Sequence, residues 1–510
     1  MHWLKRVRIL ASLIFFLLTC SLFLDIWYVV PSAWSMGFTG IQVLPALLRT
    51  LKIFSVVSVG FIFSVALTLL FGRVYCSTIC PLGTFQDFFI HLSRKIDRRK
   101  KSKYRKPLTL IHYSFFAVTF ILFVAGSPLL LNLFEPFTNF GRVASNVFGF
   151  IAIALNNGVS VLLEQFGIFS VYHIPMLRFM AGSMLFALAF AAFIGYLSYT
   201  QGRLFCNLLC PAGALLSFLS RYSAFKIRID EHACKSCRMC ENKCKASCIE
   251  TETKTLDFSS CVGCFNCFDA CPTSGMKYEF SWRFKKNVSV DASRRKFFVT
   301  LFVPAVGMKM IAESLEKKND YQINRSHPIS PPGSVSVQRF SDLCTACHLC
   351  VTACPTQVLA PSFFDYGMAG MLQPKMNYNA SYCNYDCIEC SHVCPTGALL
   401  PLDIAEKKVT QLGRASFIKS DCIVVTKKAD CGACSEHCPT KAVHMIPYEG
   451  LFLPEVNDDM CIGCGACEHA CPVRPNKAIY VVANPVHLKA KKPQEQKPQK
   501  VFDSNQDFPF

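Results

Sequence analysis

The stretch "CVGCFNCFDACP" at residues 261–272 sets four cysteines in the order C-x2-C-x2-C-x3-C, with a proline directly after the last. Three thiolates so close in sequence cap one face of a [4Fe-4S] cube, and the fourth, set apart, reaches a neighbouring cube. The partner group lies just upstream. Cys234, Cys237, Cys240 and Cys244 repeat the spacing, with Lys245 where the proline would stand. Crossed pairing gives Cys271 to the first trio and Cys244 to Cys261, Cys264 and Cys267, while Cys248 is either spare or takes the place of Cys244. Two zinc sites would need only two C-x2-C pairs and would leave the third cysteine of each group without a role.

The pattern returns four more times downstream: Cys344, Cys347, Cys350, Cys354; Cys383, Cys387, Cys390, Cys394; Cys422, Cys431, Cys434, Cys438; and Cys461, Cys464, Cys467, Cys471. The second of these widens its first gap to x3 and the third to x8, yet each keeps x3 before its last cysteine and proline after it. Six [4Fe-4S] clusters are therefore expected, all ligated by these cysteines. "CTACH" at residues 344–348 also fits a c-type haem attachment, but that reading would strand Cys350 and Cys354. Of thirty cysteines, only Cys20, Cys248, Cys76, Cys80, Cys206 and Cys210 remain. Cys20, alone in an apolar run, reads as a packing residue.

Ahead of the clusters the texture changes. The chain of 510 residues is 52% hydrophobic and 17% charged, and the runs 9–30, 53–71, 108–131 and 176–199 are each long enough to cross about 30 Å of hydrocarbon. Four transmembrane helices are expected. Residues 147–163 are apolar but interrupted by Asn156, Asn157 and Gly158, and read as an interfacial or re-entrant segment. Lys5, Arg6, Arg8 and the basic block "RKIDRRKKSKYRK" at residues 94–106 fall on one side, which the positive-inside rule makes cytoplasmic. That block accounts for much of the net charge of +19, so a membrane loop explains it and nucleic acid is not an expected partner.

"SRRKFF" at residues 293–298, followed by a short apolar run, resembles a twin-arginine signal lying inside the chain. It shows no A-x-A cleavage site, so it is expected to stay as a fifth, signal-anchor segment. The fold class expected is multi-domain. An α-helical membrane bundle (1–225) precedes a cytoplasmic two-cluster ferredoxin-like α+β domain (226–285), an anchor and linker (286–335), a four-cluster domain exported to the periplasm (336–486) and a disordered tail (487–510).

These pieces resemble known families. Residues 1–285 resemble the NapH/MauN type of membrane ferredoxin, and residues 294–486, including "SPPGSVSVQRFSDLCTACHLCVTACP" and "CIGCGACEHACPV", resemble the NapG/MauM type of twin-arginine-exported polyferredoxin. The join departs from the pattern, since the two are usually separate polypeptides. The resemblance implies a quinol dehydrogenase component of the bacterial cytoplasmic membrane. It would take quinol as substrate and pass electrons to a periplasmic reductase or cytochrome, as in nitrate or N-oxide respiration under anaerobic conditions. A maturation factor that donates electrons to a periplasmic metalloenzyme, and a redox sensor of the quinone pool, are the alternatives.

One repeat is left over. "GRVYCSTICPLG" at 72–83 and "GRLFCNLLCPAG" at 202–213 share G-R-x-[YF]-C-x3-C-P-x-G, each just after an apolar run. Cys76, Cys80, Cys206 and Cys210 thus mark equivalent positions in a pseudo-symmetric bundle, and they either hold a further iron-sulfur centre or act as redox dithiols near a quinone. Thiols at i and i+4 share a helix face, though the proline suggests that a helix starts or bends there. Arg73 and Arg203 read as ligands of lipid headgroups, and His112 as a candidate acceptor of a quinol proton.

Overall fold

The computed structural model describes residues 2–52, 59–97, 102–281 and 327–492. The apolar half folds into helices wherever glycine or proline does not interrupt it. In chain order these are α1 (His2–Phe23), α2 (Ser32–Thr39), α3 (Val43–Lys52), α4 (Val59–Phe71), α5 (Tyr75–Thr78), α6 (Pro81–Ile96), α7 (Thr109–Val124), α8 (Leu129–Phe134), α9 (Pro136–Val143), α10 (Gly149–Gln165), α11 (Ala181–Gln201), α12 (Leu204–Leu208) and α13 (Pro211–Ser220). A π turn at Ala144–Phe148 joins α9 to α10 without a break.

Among the described residues three stretches are long and apolar enough to cross a membrane: Trp3–Phe23, Pro136–Gln165 and Ala181–Gln201. This differs from the four runs expected. The run 108–131 stops early, at Val124, because Gly126 turns left-handed (φ 86°) and Pro128 follows. Within 53–71 the described helix covers Val59–Phe71. The stretch 147–163, expected to be interfacial, instead belongs to the longest helical run. Asn156 and Asn157 do not break it, because their side chains donate to the carbonyls of Tyr172 and Ile174 in the returning loop, at 3.1 and 2.9 Å. Leu10, Leu13 and Leu17 on α1, and Leu185, Leu188 and Tyr196 on α11, face outward. Such a belt of exposed apolar side chains is consistent with membrane association. The twin-arginine-like segment and its apolar run lie outside the described residues.

Two cysteine-rich domains sit at opposite ends of the bundle. Near its start, α1 contributes Lys5, paired with Asp269 of the two-cluster domain at 2.5 Å. Just beyond its end, the Tyr28 hydroxyl donates to the Cys354 carbonyl of the four-cluster domain at 3.1 Å. α11 runs the other way. Its start abuts the second domain, where a Cβ on Gly182 would meet Phe363 at 3.0 Å, and beyond its end Gly202 lies against the Lys245 carbonyl of the first. We call these the far and near ends.

Both domains are built on two-stranded antiparallel ladders with short helices between them. In the near domain β1 (Phe225–Ile229) pairs with β4 (Met276–Phe280), bringing first and last strands together, and β2 (Ile249–Glu250) pairs with β3 (Thr255–Leu256). The far domain has β5 (Leu359–Pro361) with β6 (Pro374–Met376), β7 (Thr410–Phe417) with β10 (Ile479–Lys489), and β8 (Val443–Tyr448) with β9 (Leu451–Val456). β10 extends into residues read as tail from 487 on, since Leu488 and Lys489 pair with Gln411 and Thr410.

Candidate iron-sulfur and redox site

The regular C-x2-C-x2-C spacing works by a repeated backbone twist. In four groups the residues two and four places after the first cysteine are left-handed: Ser236 and Arg238, Gly263 and Phe265, Ala346 and His348, Gly463 and Gly465. Each reversal turns the next thiol back toward the same hollow, and a short helix then carries the third cysteine inward. Gly465 has a second reason to be glycine, because a Cβ there would lie 2.1 Å from the Tyr378 ring. The two widened groups, from Cys383 and Cys422, lack these left-handed residues and reach their hollows by longer loops.

The hollows show which cysteines meet. Cys234, Cys237, Cys240 and Cys271 line one of ≈ 320 Å³, and Cys261, Cys264, Cys267 line another together with both Cys244 and Cys248. Cys422, Cys431, Cys434 and Cys471 line a third, of ≈ 340 Å³. Elsewhere the charges that act on each thiol give the partners. Cys394 acts on Cys344, Cys347 and Cys350, Cys354 on Cys383 and Cys390, and Cys438 on Cys464 and Cys467. The last cysteine of a group thus stands by the neighbouring trio throughout the far domain and at the Cys234 hollow, while Cys244 and Cys248 both stand at the Cys261 hollow. Sequence spacing anticipates this for the near domain and leaves the pairing open for the far one. Among the described residues no three His, Cys, Asp or Glu side chains converge on a single-ion site. The thiols stand around cradles instead.

Both candidates for the fourth position stand at the second hollow. Cys244 and Cys248 lie 3.6 Å apart. The Cys248 thiol, by hydrogen bonding to Cys244, pulls that group below its ordinary range, while the same contact pushes Cys248 up. Burial drives the Cys344, Cys350, Cys390 and Cys467 thiols well above their usual range, so they ionise only against strong positive charge such as iron. Hydrogen bonds from backbone N–H to sulfur already await such anions, from Gly275 to Cys271 at 3.2 Å and from Ala346 to Cys344 at 3.4 Å. His348, of the haem-like motif, has both ring nitrogens engaged, with Asn146 at 3.1 Å and the Leu372 carbonyl at 2.9 Å.

The repeat builds a second kind of site inside the bundle. In each copy the first cysteine lies in a short helix, α5 or α12, and the second caps the next, α6 or α13, with extended backbone ahead of a proline at the first helical position. The two thiols of a copy therefore do not share one continuous helix face. The Gly213 N–H donates to the Cys210 sulfur at 3.2 Å. A Cβ on Gly83 or Gly213 would meet the carbonyl of Cys76 or Cys206 at 2.2 or 2.3 Å, which is why the motif ends in glycine.

The two arginines cross between the copies. Arg73 donates to the Cys206 carbonyl at 2.9 Å and Arg203 to the Cys76 carbonyl at 3.0 Å. Both are buried to within 1% of full exclusion, which overturns the expectation that they hold lipid headgroups. Asp87 balances the second, bonding Arg203 at 2.6 Å, Lys245 at 2.7 Å and Arg8 at 2.9 Å. The Cys206 thiol donates to the Gln86 side chain at 3.0 Å. His112 is buried, its Nε2 3.1 Å from the Cys210 carbonyl. Sequence reading missed Gln86, Asp87 and Arg142. The only signal available was that each is polar in an otherwise apolar setting.

A single buried core joins these sites. It contains Cys264 of the near domain, then Cys76, Cys80, Cys206 and Cys210, then Cys347 of the far domain, with Cys20 and Cys350 packed at its edge. The far domain continues the series, for the N–H of Cys383 donates to the Cys464 carbonyl at 3.0 Å.

Comparison with known proteins agrees with the cluster chemistry. A model described as a 4Fe-4S binding domain matches residues 54–100 and 181–230, the two copies of the bundle repeat, and a 4Fe-4S dicluster domain matches 343–398 and 429–474. The chain is 28% identical over 160 residues to the ferredoxin-type protein NapF of Escherichia coli K12, covering 31% of this chain and 89% of NapF. It is 26% identical over 188 residues to NapG of the same strain, covering 35% and 80%. It is 32% identical over 152 residues to the methylamine utilization ferredoxin-type protein MauM of Methylophilus methylotrophus, covering 28% and 66%. No solved structure matches. The chain is an iron-sulfur electron-transfer protein of ferredoxin type, with apolar helices added.

Proposed function

We propose that the chain is a membrane-bound quinol-oxidising conduit that joins NapH/MauN-like and NapG/MauM-like parts in one polypeptide and delivers electrons to a periplasmic reductase or cytochrome. The observation that carries this reading is the unbroken buried core from Cys264 through the bundle cysteines to Cys347. Two docked domains at opposite ends of helices long enough to span a bilayer support a route across the membrane rather than along it. Six cysteine groups hold [4Fe-4S] cubes, which when bound exchange one electron at a time at potentials set by their surroundings.

The chain's own part is to hold and tune. Cys76, Cys80, Cys206 and Cys210 hold a further redox centre. Arg73 and Arg203 fix the two copies to each other, each reaching the other copy's cysteine carbonyl. The surrounding phenylalanines and leucines of the core exclude water. His112, held against the Cys210 carbonyl, stands next to this centre as the group able to accept a proton from quinol.

The test is the side on which the C-terminus lies. In spheroplasts, protease should remove a C-terminal tag from the wild-type protein, and Arg294→Lys combined with Arg295→Lys should protect it. A tag protected in both would put all cysteine groups on one side and end the transmembrane reading.

A further inference from the structure

Where α6 and α11 end beside the near domain, an open cavity of ≈ 650 Å³ is lined by Arg94, Lys103, Arg105, Ser198, Thr200 and Ser247 among others, and among the described residues no carboxylate belongs to its wall. Three cations facing one hollow without a counter-charge call for an anion. Ser198 adds a second, independent sign. The residue is 2% exposed and its hydroxyl has no partner among the described residues, and a buried hydroxyl without a partner is rare unless a ligand or water supplies one.

The wall is not loose surface. The loop from residue 102 is fastened to the near domain by backbone bonds, Ser102 N–H to the Asn242 carbonyl at 3.3 Å and Arg105 N–H to the Ser247 carbonyl at 3.1 Å. Arg94 is held by the Ser102 hydroxyl at 3.2 Å. Three separate pieces of chain, bundle, basic loop and near domain, thus meet around the hollow.

What lies beside it names the anion. The cavity lies at the end of α11, a stretch long and apolar enough to cross a membrane, whose outer face carries exposed Phe193 and Tyr196, and so at the depth where lipid headgroups would stand. A basic, hydroxyl-lined seat at the end of a membrane-length helix matches a phosphate that carries acyl chains better than a free anion. We propose that this cavity binds the phosphate of an anionic phospholipid, and that the bound lipid fastens the near domain to the bundle. The proposal rests on the membrane reading above.

Membrane fractionation comes first, since recovery of the chain in the soluble fraction would overturn the membrane reading itself. The purified full-length protein, stripped of lipid in detergent, is then titrated with phosphatidylglycerol, phosphatidylcholine or inorganic phosphate, and retained lipid is counted by native mass spectrometry. Wild type should bind phosphatidylglycerol saturably and ignore phosphatidylcholine. Arg94→Gln with Lys103→Gln and Arg105→Gln should weaken that binding about a hundredfold. A charge-matched variant far from the cavity, Lys427→Gln with Lys428→Gln and Lys441→Gln, should bind as wild type does. Unchanged iron content in both variants shows that they fold. The proposal fails if the cavity variant binds phosphatidylglycerol like wild type, or if inorganic phosphate displaces the lipid at equal concentration.

Discussion

The two ends of the bundle grip similar domains by different means. At both, bundle side chains donate to carbonyls in the cysteine loops. Arg73 reaches the Ser259 carbonyl at 3.1 Å at the near end, and Arg142 reaches those of Ala346 and Thr345 at 2.9 and 3.1 Å at the far end. Only the near end adds ion pairs. Asp87 collects three cations there, one of them Lys245 of the domain itself, and Lys5 pairs with Asp269. Among the described residues no ion pair crosses the far interface, which adds to the Arg142 bonds neutral ones such as Asn146 with His348 and the Gln357 side chain accepting the N–H of Leu177 at 3.0 Å. Salt screens exposed pairs and buried ones much less, so of the near attachments only the part-exposed Lys5–Asp269 pair should respond to it, while the Asp87 cluster holds the domain by buried charge.

Asp87→Asn should break this contrast most severely. It leaves Arg8, Arg203 and Lys245 without a counter-charge in a largely buried place, at a cost of about 3–5 kcal/mol. Thermal unfolding in detergent would show the loss, and limited proteolysis would place it in residues 226–281 rather than in the far domain. Arg142→Gln is the corresponding change at the far end. Two buried carbonyls lose a charged donor, which costs about 2–4 kcal/mol, and proteolysis should now open residues 340–360 with the near domain intact.

Acid should separate the domains further. His487 on β10 is held neutral by burial, its pKa lowered to about 4, with Nε2 3.0 Å from the Ser330 hydroxyl. Because its folded pKa lies below the ordinary value of about 6.5, the unfolded chain binds the extra proton first. The contribution is therefore complete above pH 6.5, declines as pH falls toward 4 and is constant below that. A loss of about 3 kcal/mol across that window is expected in the far domain, and His487→Gln should flatten the slope measured by denaturant unfolding. The smallest effect belongs to Lys5→Ala. Its pair with Asp269 is about a third exposed on each side, so the change should cost no more than about 0.5 kcal/mol and vanish in high salt.

Much of the molecule was legible because cluster ligation writes itself locally. Three thiols within seven residues and a proline after the fourth need no knowledge of the rest of the chain, and the hollows around Cys234 and Cys261 assemble as the spacing requires. The unread parts depend on partners distant in sequence. Asn156 and Asn157 look like helix breakers until the carbonyls 16 and 17 residues on are known to accept from them. Arg73 and Arg203 look like interfacial cations until each is found on the other copy's cysteine carbonyl. The crossed pairing in the far domain was obscured for the same reason, since x3 and x8 gaps do not say which hollow a thiol enters.

The π turn between α9 and α10 has a consequence of its own. Ahead of it Arg142 grips the far domain, and within it Asn146 meets both His348 and the Ser183 hydroxyl, at 3.1 and 3.2 Å. Beyond it Ile151, Leu155 and Leu162 face outward. A π turn holds one residue more than the α-helix it interrupts, so it advances the phase of everything that follows. The helix is in effect a shaft with two keyways cut at different angles, one indexed to the docked domain and the other to the oil around the protein. Deleting any one of the five residues would bring the two back into step, and only one of them would then point where it must.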